Sequence, residues 1–135
     1  MRTPESPNSR WTYGISIPHD PRAVSVVRAT IRSILNVTRL NCLVDSVELM
    51  VSEIVTNAYW HSSTETYVSM ERTPDDFRVT VWDHGQGTPT PRTPADSDEH
   101  GRGLGIVEAY ADEWGVRTYP YGKAVWFSVA PKEEA

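Results

Sequence analysis

The chain has 135 residues, a formal net charge of -5 from 13 Lys and Arg against 18 Asp and Glu, 39% hydrophobic residues and one cysteine. That length suits one domain able to bury roughly two-thirds of the surface its unfolded form exposes, and the acidic balance without a Lys/Arg block argues against a nucleic-acid backbone or an anionic membrane as partner. No apolar stretch approaches the ~20 residues of a membrane span, and Pro4, Glu5, Pro7 and Asn8 stand where a signal peptide needs an apolar core, so the sequence predicts a cytoplasmic protein.

Residues 1–10 are polar with two prolines and residues 132–135 are charged, which predicts two disordered tails around a domain over 11–131. Trp11, Tyr13, Ile15 and Ile17 alternate onto one face and Pro18 stops the run, the pattern of an edge strand. Asp20-Pro21 supplies an N-cap and a proline at the first helical position, and Val24, Val27, Ile31, Ile34 and Leu35 then repeat at helical spacing. Asn41 or Asp45 is placed to cap a second helix whose apolar stripe is Val44, Val47, Val51, Ile54, Val55 and Ala58. Cys42, among apolar residues at the start of that pattern, is expected as a reduced, packed thiol.

Beyond the second helix the period changes. Thr66 to Met70 and Phe77 to Trp82 are β-rich runs separated by Pro74-Asp75-Asp76, which predicts a hairpin. Thr88 to His100 holds three prolines and three acids and almost nothing apolar, which predicts a surface loop. A third helix is expected through Ile106, Val107, Ala109, Tyr110 and Trp114, ending at Gly115, before a closing hairpin of Val116 to Tyr119 and Ala124 to Val129. This order predicts an α+β fold, a two-layer sandwich in which helices pack on one face of a mixed or antiparallel sheet.

The chemistry concentrates in three places. Glu53, Asn57 and His61 are four apart and share one side of the second helix, either as the lining of a cleft or as a solvated face. An Asn oxygen is a neutral, hard ligand of the kind Mg²⁺ takes alongside substrate phosphates, and a carboxylate one turn earlier can orient or deprotonate an attacking hydroxyl. Asp83 ends a strand beside Gly85 and Gly87, where its carboxylate can accept from an exocyclic amine, although Asp-x-Gly alone is also a turn signal. Gly101, Gly103 and Gly105 open a helix, a place for phosphate, with Arg102 as a cation of matching fork geometry or as a plain exposed arginine.

Glu53-Ile-Val-Thr-Asn57-Ala, Asp83-x-Gly85-x-Gly87 and Gly101-Arg102-Gly103-Leu104-Gly105 resemble the N, G1 and G2 boxes of the GHKL (histidine-kinase-like) ATPases, and the likeness extends from Trp11 to Val129. Within that superfamily the chain is most similar to the small anti-sigma-factor serine/threonine kinases. The resemblance implies a Bergerat-type ATP-binding fold with ATP and Mg²⁺ as cofactors. It implies that Asn57 binds Mg²⁺, that Asp83 reads the adenine amino group, that the Gly101 to Gly105 segment including Leu104 wraps the phosphates with Arg102, and that Glu53 is the general base. The implied partners are a sigma factor and an anti-anti-sigma antagonist that receives the phosphoryl group; members of this kind often form homodimers. The family often carries a hydroxyl residue where Ala124 stands, near the carboxylate that reads adenine, so a water-mediated contact to the base is expected to be missing here. The rival expectations are a non-catalytic protein-binding regulator with weak or structural nucleotide binding, and a bare ATPase.

Overall fold

The protein is described from a computed structural model over residues 10–84 and 105–131. The expected loop from Thr88 to His100 and nearly all of the expected tails lie outside these residues. In chain order the elements are β1 (Trp11–Ile17), α1 (Ala23–Val37), a short 3-10 turn (Asn41–Leu43), α2 (Val44–His61), β2 (Thr66–Arg72), β3 (Phe77–Asp83), β4 (Glu113–Tyr119) and β5 (Gly122–Val129). A helical segment over residues 105–110 precedes β4. The five strands form one sheet in the order β1-β2-β3-β5-β4, with every neighbouring pair antiparallel. The sheet is therefore antiparallel rather than mixed, because β2/β3 and β4/β5 are hairpins and β1 comes back beside β2. As expected, β1 lies at an edge.

Alternation along the strands builds the core. Val68 and Met70, then Phe77, Val79 and Val81, then Val125, Phe127 and Val129 are buried on one face, since side chains two apart on a strand share a side. Ala23, Val27, Ile31 and Leu35 of α1 and Val47, Met50, Val51, Ile54, Val55 and Ala58 of α2 are buried with them. The opposite face carries partly exposed aromatics: Tyr67 meets Trp82 edge-on at 6.3 Å, and the Arg78 guanidinium lies 4.2 Å from the centre of the Trp126 ring. The fold is α+β, with both long helices on one side of the sheet.

Local chemistry explains where the helices begin and end. The Asp20 carboxylate accepts from the Arg22 backbone N–H at 2.7 Å and pairs with its guanidinium, which holds the Asp20 carboxyl down to about 2. The helix proper starts later than Asp20-Pro21 suggested, at Ala23. At its far end Arg39 has a φ of 67° and the Leu40 N–H reaches back to the Leu35 carbonyl at 2.7 Å, a left-handed stop of the kind usually filled by glycine. Neither Asn41 nor Asp45 caps α2, because the 3-10 turn runs straight into it and Leu43 takes the cap position. Asn41 instead donates to the Asn36 side chain. Cys42 in that turn is exposed, not packed, since the turn presents Leu43 to the core in its place.

The last helix ends earlier than its apolar pattern suggested. After residue 110 the chain turns into β4, and the Asp112 N–H donates to the Ser128 carbonyl at 2.9 Å while its carboxylate accepts from the Ala130 N–H at 2.7 Å. Trp114 therefore packs from a strand, across from Phe127, and Gly115 sits inside β4. A Cβ there would lie 2.9 Å from the Trp126 indole nitrogen, so glycine makes room for that ring rather than ending a helix.

Glu48 is the buried acid of the helical layer. Its two carboxylate oxygens accept from Arg32 at 2.5 and 2.9 Å, and Arg28 adds an ion pair at 3.5 Å. The Arg32 hydrogen bonds hold the Glu48 carboxyl below its ordinary 4.5, against the opposing effect of burial. A carboxyl lowered by folding contributes stability that is complete above its unfolded value and is lost as the pH falls through the folded one. Glu48→Gln should accordingly lower the denaturant midpoint at neutral pH, with the gap to the parent closing as the pH drops below about 4.5; a gap that stays constant in acid would contradict the assignment. Arg39→Gly, which relieves a left-handed side chain, should raise stability by up to about 1 kcal/mol in urea unfolding.

Candidate functional site

The four-residue spacing of Glu53, Asn57 and His61 puts all three on one flank of α2, and each is half-buried. Their neighbours Ile54 and Ala58 face the core, so this flank is the margin of the helix–sheet layer and not an open solvent face. Among the described residues, Asn57 Oδ1 is the buried side-chain oxygen or nitrogen left without a hydrogen-bond partner. An unsatisfied buried acceptor costs about 1–3 kcal/mol. A neutral, hard oxygen held this way suits a divalent cation such as Mg²⁺, which uses one or two protein oxygens and completes its shell with water and phosphate. Among the described residues no three His, Cys, Asp or Glu side chains come together to hold a metal.

Asp83 is the last residue of β3 and shares the helix-facing side with Val79 and Val81, since strand positions two apart point the same way. Its side chain is 2% exposed and accepts from Lys123 Nζ at 3.0 Å. The register sets this pair, because Asp83 lies directly across from Lys123 in β5 and from Thr66 in β2. Gly122, one residue earlier, is buried, and a Cβ there would collide with the Asp83 carbonyl oxygen. Glycine at that position lets β5 press against the end of β3 and hold the carboxylate in place.

Ala124 pairs with Trp82 and so points to the other face of the sheet from Asp83. The side chain that stands beside the carboxylate is Lys123, which corrects the expectation built on Ala124. Lys123 is the residue that sequence reasoning missed. The period of two along β5 separates its face from that of Ala124, but only the register against β3 brings it to Asp83.

The C-terminal turn of α2 and the end of β3 meet around a cavity of about 450 Å³ lined by His19, Tyr59, Trp60, His61 and His84 among others. Asn57 is one turn upstream of His61 and Asp83 immediately precedes His84, so the two lie at the same end of the helix–sheet layer. His19 stacks on Tyr59 with ring centres 4.2 Å apart and donates from Nε2 to the Tyr59 carbonyl at 3.0 Å, whereas Trp60 is 71% exposed. Gly85, Gly87, Gly101, Arg102, Gly103 and Leu104 lie outside the described residues. Gly105 is in the helical segment over residues 105–110, with open space where a Cβ would stand, and Val107 two residues on is buried in the core.

Residues 17–129 match the family described as the histidine kinase-like ATPase domain. No curated protein matches the chain. The matched span begins at the end of β1 and closes with the last residue of β5, so it includes α2, Asp83 and Lys123.

Gly122 and Gly105 make opposite demands. Gly122→Ala should destabilise the protein by about 1–3 kcal/mol, the cost of forcing extra atoms into a packed contact. Gly105→Ala should leave stability unchanged or raise it by up to about 1 kcal/mol, because alanine is the better helix former and meets no neighbour among the described residues. Parallel urea titrations compare them, and equal effects would contradict the close approach of Gly122 to Asp83.

Proposed function

Because the chain belongs to the histidine kinase-like ATPase domain family, we propose that it is an ATP-binding regulator of the anti-sigma-factor kinase kind, with a protein antagonist as the serine or threonine phosphoacceptor. The observation that carries the nucleotide part is Asn57 Oδ1, a buried acceptor without a partner among the described residues, at the same end of the layer as the buried carboxylate of Asp83. Mg-ATP, when bound, would supply the phosphoryl group and neutralise charge on its oxygens. Asn57 would hold the metal and Asp83 would accept a hydrogen bond from the adenine amino group. By resemblance, Gly85, Gly87 and the Gly101 to Gly105 segment with Arg102 would surround the phosphates.

Glu53 is one helical turn from Asn57, on the same flank. In this role its carboxylate takes the proton of the acceptor hydroxyl as that oxygen attacks, a contribution of general-base type. The sigma factor and the anti-anti-sigma antagonist follow from the resemblance and are proposed as partners. A second reading, a regulator that holds nucleotide only as a structural ligand, draws support from aromatic side chains open to a protein partner, Trp60 at 71% and Tyr121 at 82% exposure.

Thermal unfolding with and without Mg-ATP tests binding, since a ligand at a hundred times its dissociation constant adds about 2.7 kcal/mol. Asn57→Ala should reduce the Mg²⁺-dependent part of that stabilisation at least about tenfold in apparent affinity. Glu53→Gln should still bind nucleotide but lose transfer of labelled phosphate to a candidate antagonist. Binding with no transfer in the parent protein would leave the non-catalytic reading.

A further inference from the structure

We propose that Lys123 is a second base-reading residue of the same pocket, its ammonium donating to the ring nitrogen N1 beside the amino group that Asp83 accepts from. This rests on the nucleotide-binding reading above and names what in this chain selects the base. On the helix-facing side of the sheet, β3 presents Phe77, Val79 and Val81 and β5 presents Val125, Phe127 and Val129. The column ends with one polar pair, Asp83 and Lys123, at 2% and 15% side-chain exposure and 3.0 Å apart.

A lysine this enclosed is uncommon. Removing both charges from water costs about as much as their attraction returns, so a buried ion pair contributes little net stability compared with the apolar residues that fill the rest of the column. A role in recognition accounts for the pair where stability does not. An ammonium carries three N–H donors, and Asp83 Oδ2 engages one of them. Among the described residues Asp83 is the side chain with which Lys123 forms an ion pair.

The pair therefore presents a carboxylate acceptor and an ammonium donor side by side. The adenine edge offers the matching order, an amino donor at C6 followed by the acceptor N1. Guanine and hypoxanthine reverse it, with an acceptor oxygen at C6 and an N1–H donor, which would set oxygen against the Asp83 carboxylate and hydrogen against the Lys123 ammonium. The Asp83–Lys123 pair thus reads the order of donor and acceptor.

Calorimetric titration of the full chain with Mg-ATP, with the ATP analogue in which C–H replaces N1, and with Mg-GTP tests this. The parent protein should bind the N1-deaza analogue about tenfold or more weakly than ATP, the range for a charge-assisted hydrogen bond, and GTP more weakly still. Lys123→Met should bind ATP and the analogue equally, at the affinity the parent shows for the analogue. Equal binding of both by the parent, a comparison that needs no variant, overturns the role of Lys123 and leaves the nucleotide pocket standing. Discrimination that survives in Lys123→Met also overturns it. Binding of none of the three overturns the pocket, and the role of Lys123 with it.

Discussion

A single apolar layer, formed where α1 and α2 press on one face of the sheet, fixes the positions of Asn57, Asp83 and Lys123 at the candidate site. Val27, Ile31 and Leu35 from one helix, Val47, Met50, Val51, Ile54 and Val55 from the other, and alternate residues of β2, β3 and β5 fill it. Burial of this apolar surface drives folding. Any polar side chain on an inward-facing position must then lie at the margin of the layer or bring a partner with it. Asn57, Asp83 and Lys123 are at such margins, and Glu48 brings two arginines.

Glu48 and Asp83, the buried carboxylates among the described residues, answer that demand differently. Glu48 is neutralised from the helix side by Arg32 and Arg28, whose guanidinium groups reach solvent, so the arrangement ties α1 to α2 without shutting a cation away from water. Asp83 is neutralised from the sheet by a lysine that is itself largely enclosed. The first is a surface-anchored clamp between helices. The second places two opposite charges at the end of the apolar column, where the β3 terminus meets the last turn of α2.

Asn57 completes the contrast, for its buried Oδ1 has no hydrogen-bond partner among the described residues. An acceptor unsatisfied among the described residues costs stability and an enclosed ion pair returns little of it, and both stand beside a glycine pressed against the Asp83 carbonyl. They gather at one end of one layer, while the rest of the core is filled with valine, isoleucine, leucine, methionine and phenylalanine. Proteins concentrate local costs of this kind where a ligand is to be held.

The sequence by itself determined the class of the fold, the two amphipathic helices, both hairpins, the edge position of β1 and the flank shared by Glu53, Asn57 and His61, because hydrophobic period and turn chemistry are local properties of the chain. It misjudged Trp114, whose spacing from Tyr110 continues a helix, because the hydrogen bonds that start β4 instead, from the Asp112 N–H to the Ser128 carbonyl and from the Ala130 N–H to the Asp112 carboxylate, tie it to the end of β5 and the residue after it. It misjudged Cys42 because packing at the 3-10 turn chose Leu43 for the core. Only the tertiary structure decided that Lys123 and not Ala124 stands beside Asp83, a pairing between residues 40 apart. The reason is register: slipping one strand by a single residue exchanges its two faces, and nothing within either strand alone states which residue of the other it will meet.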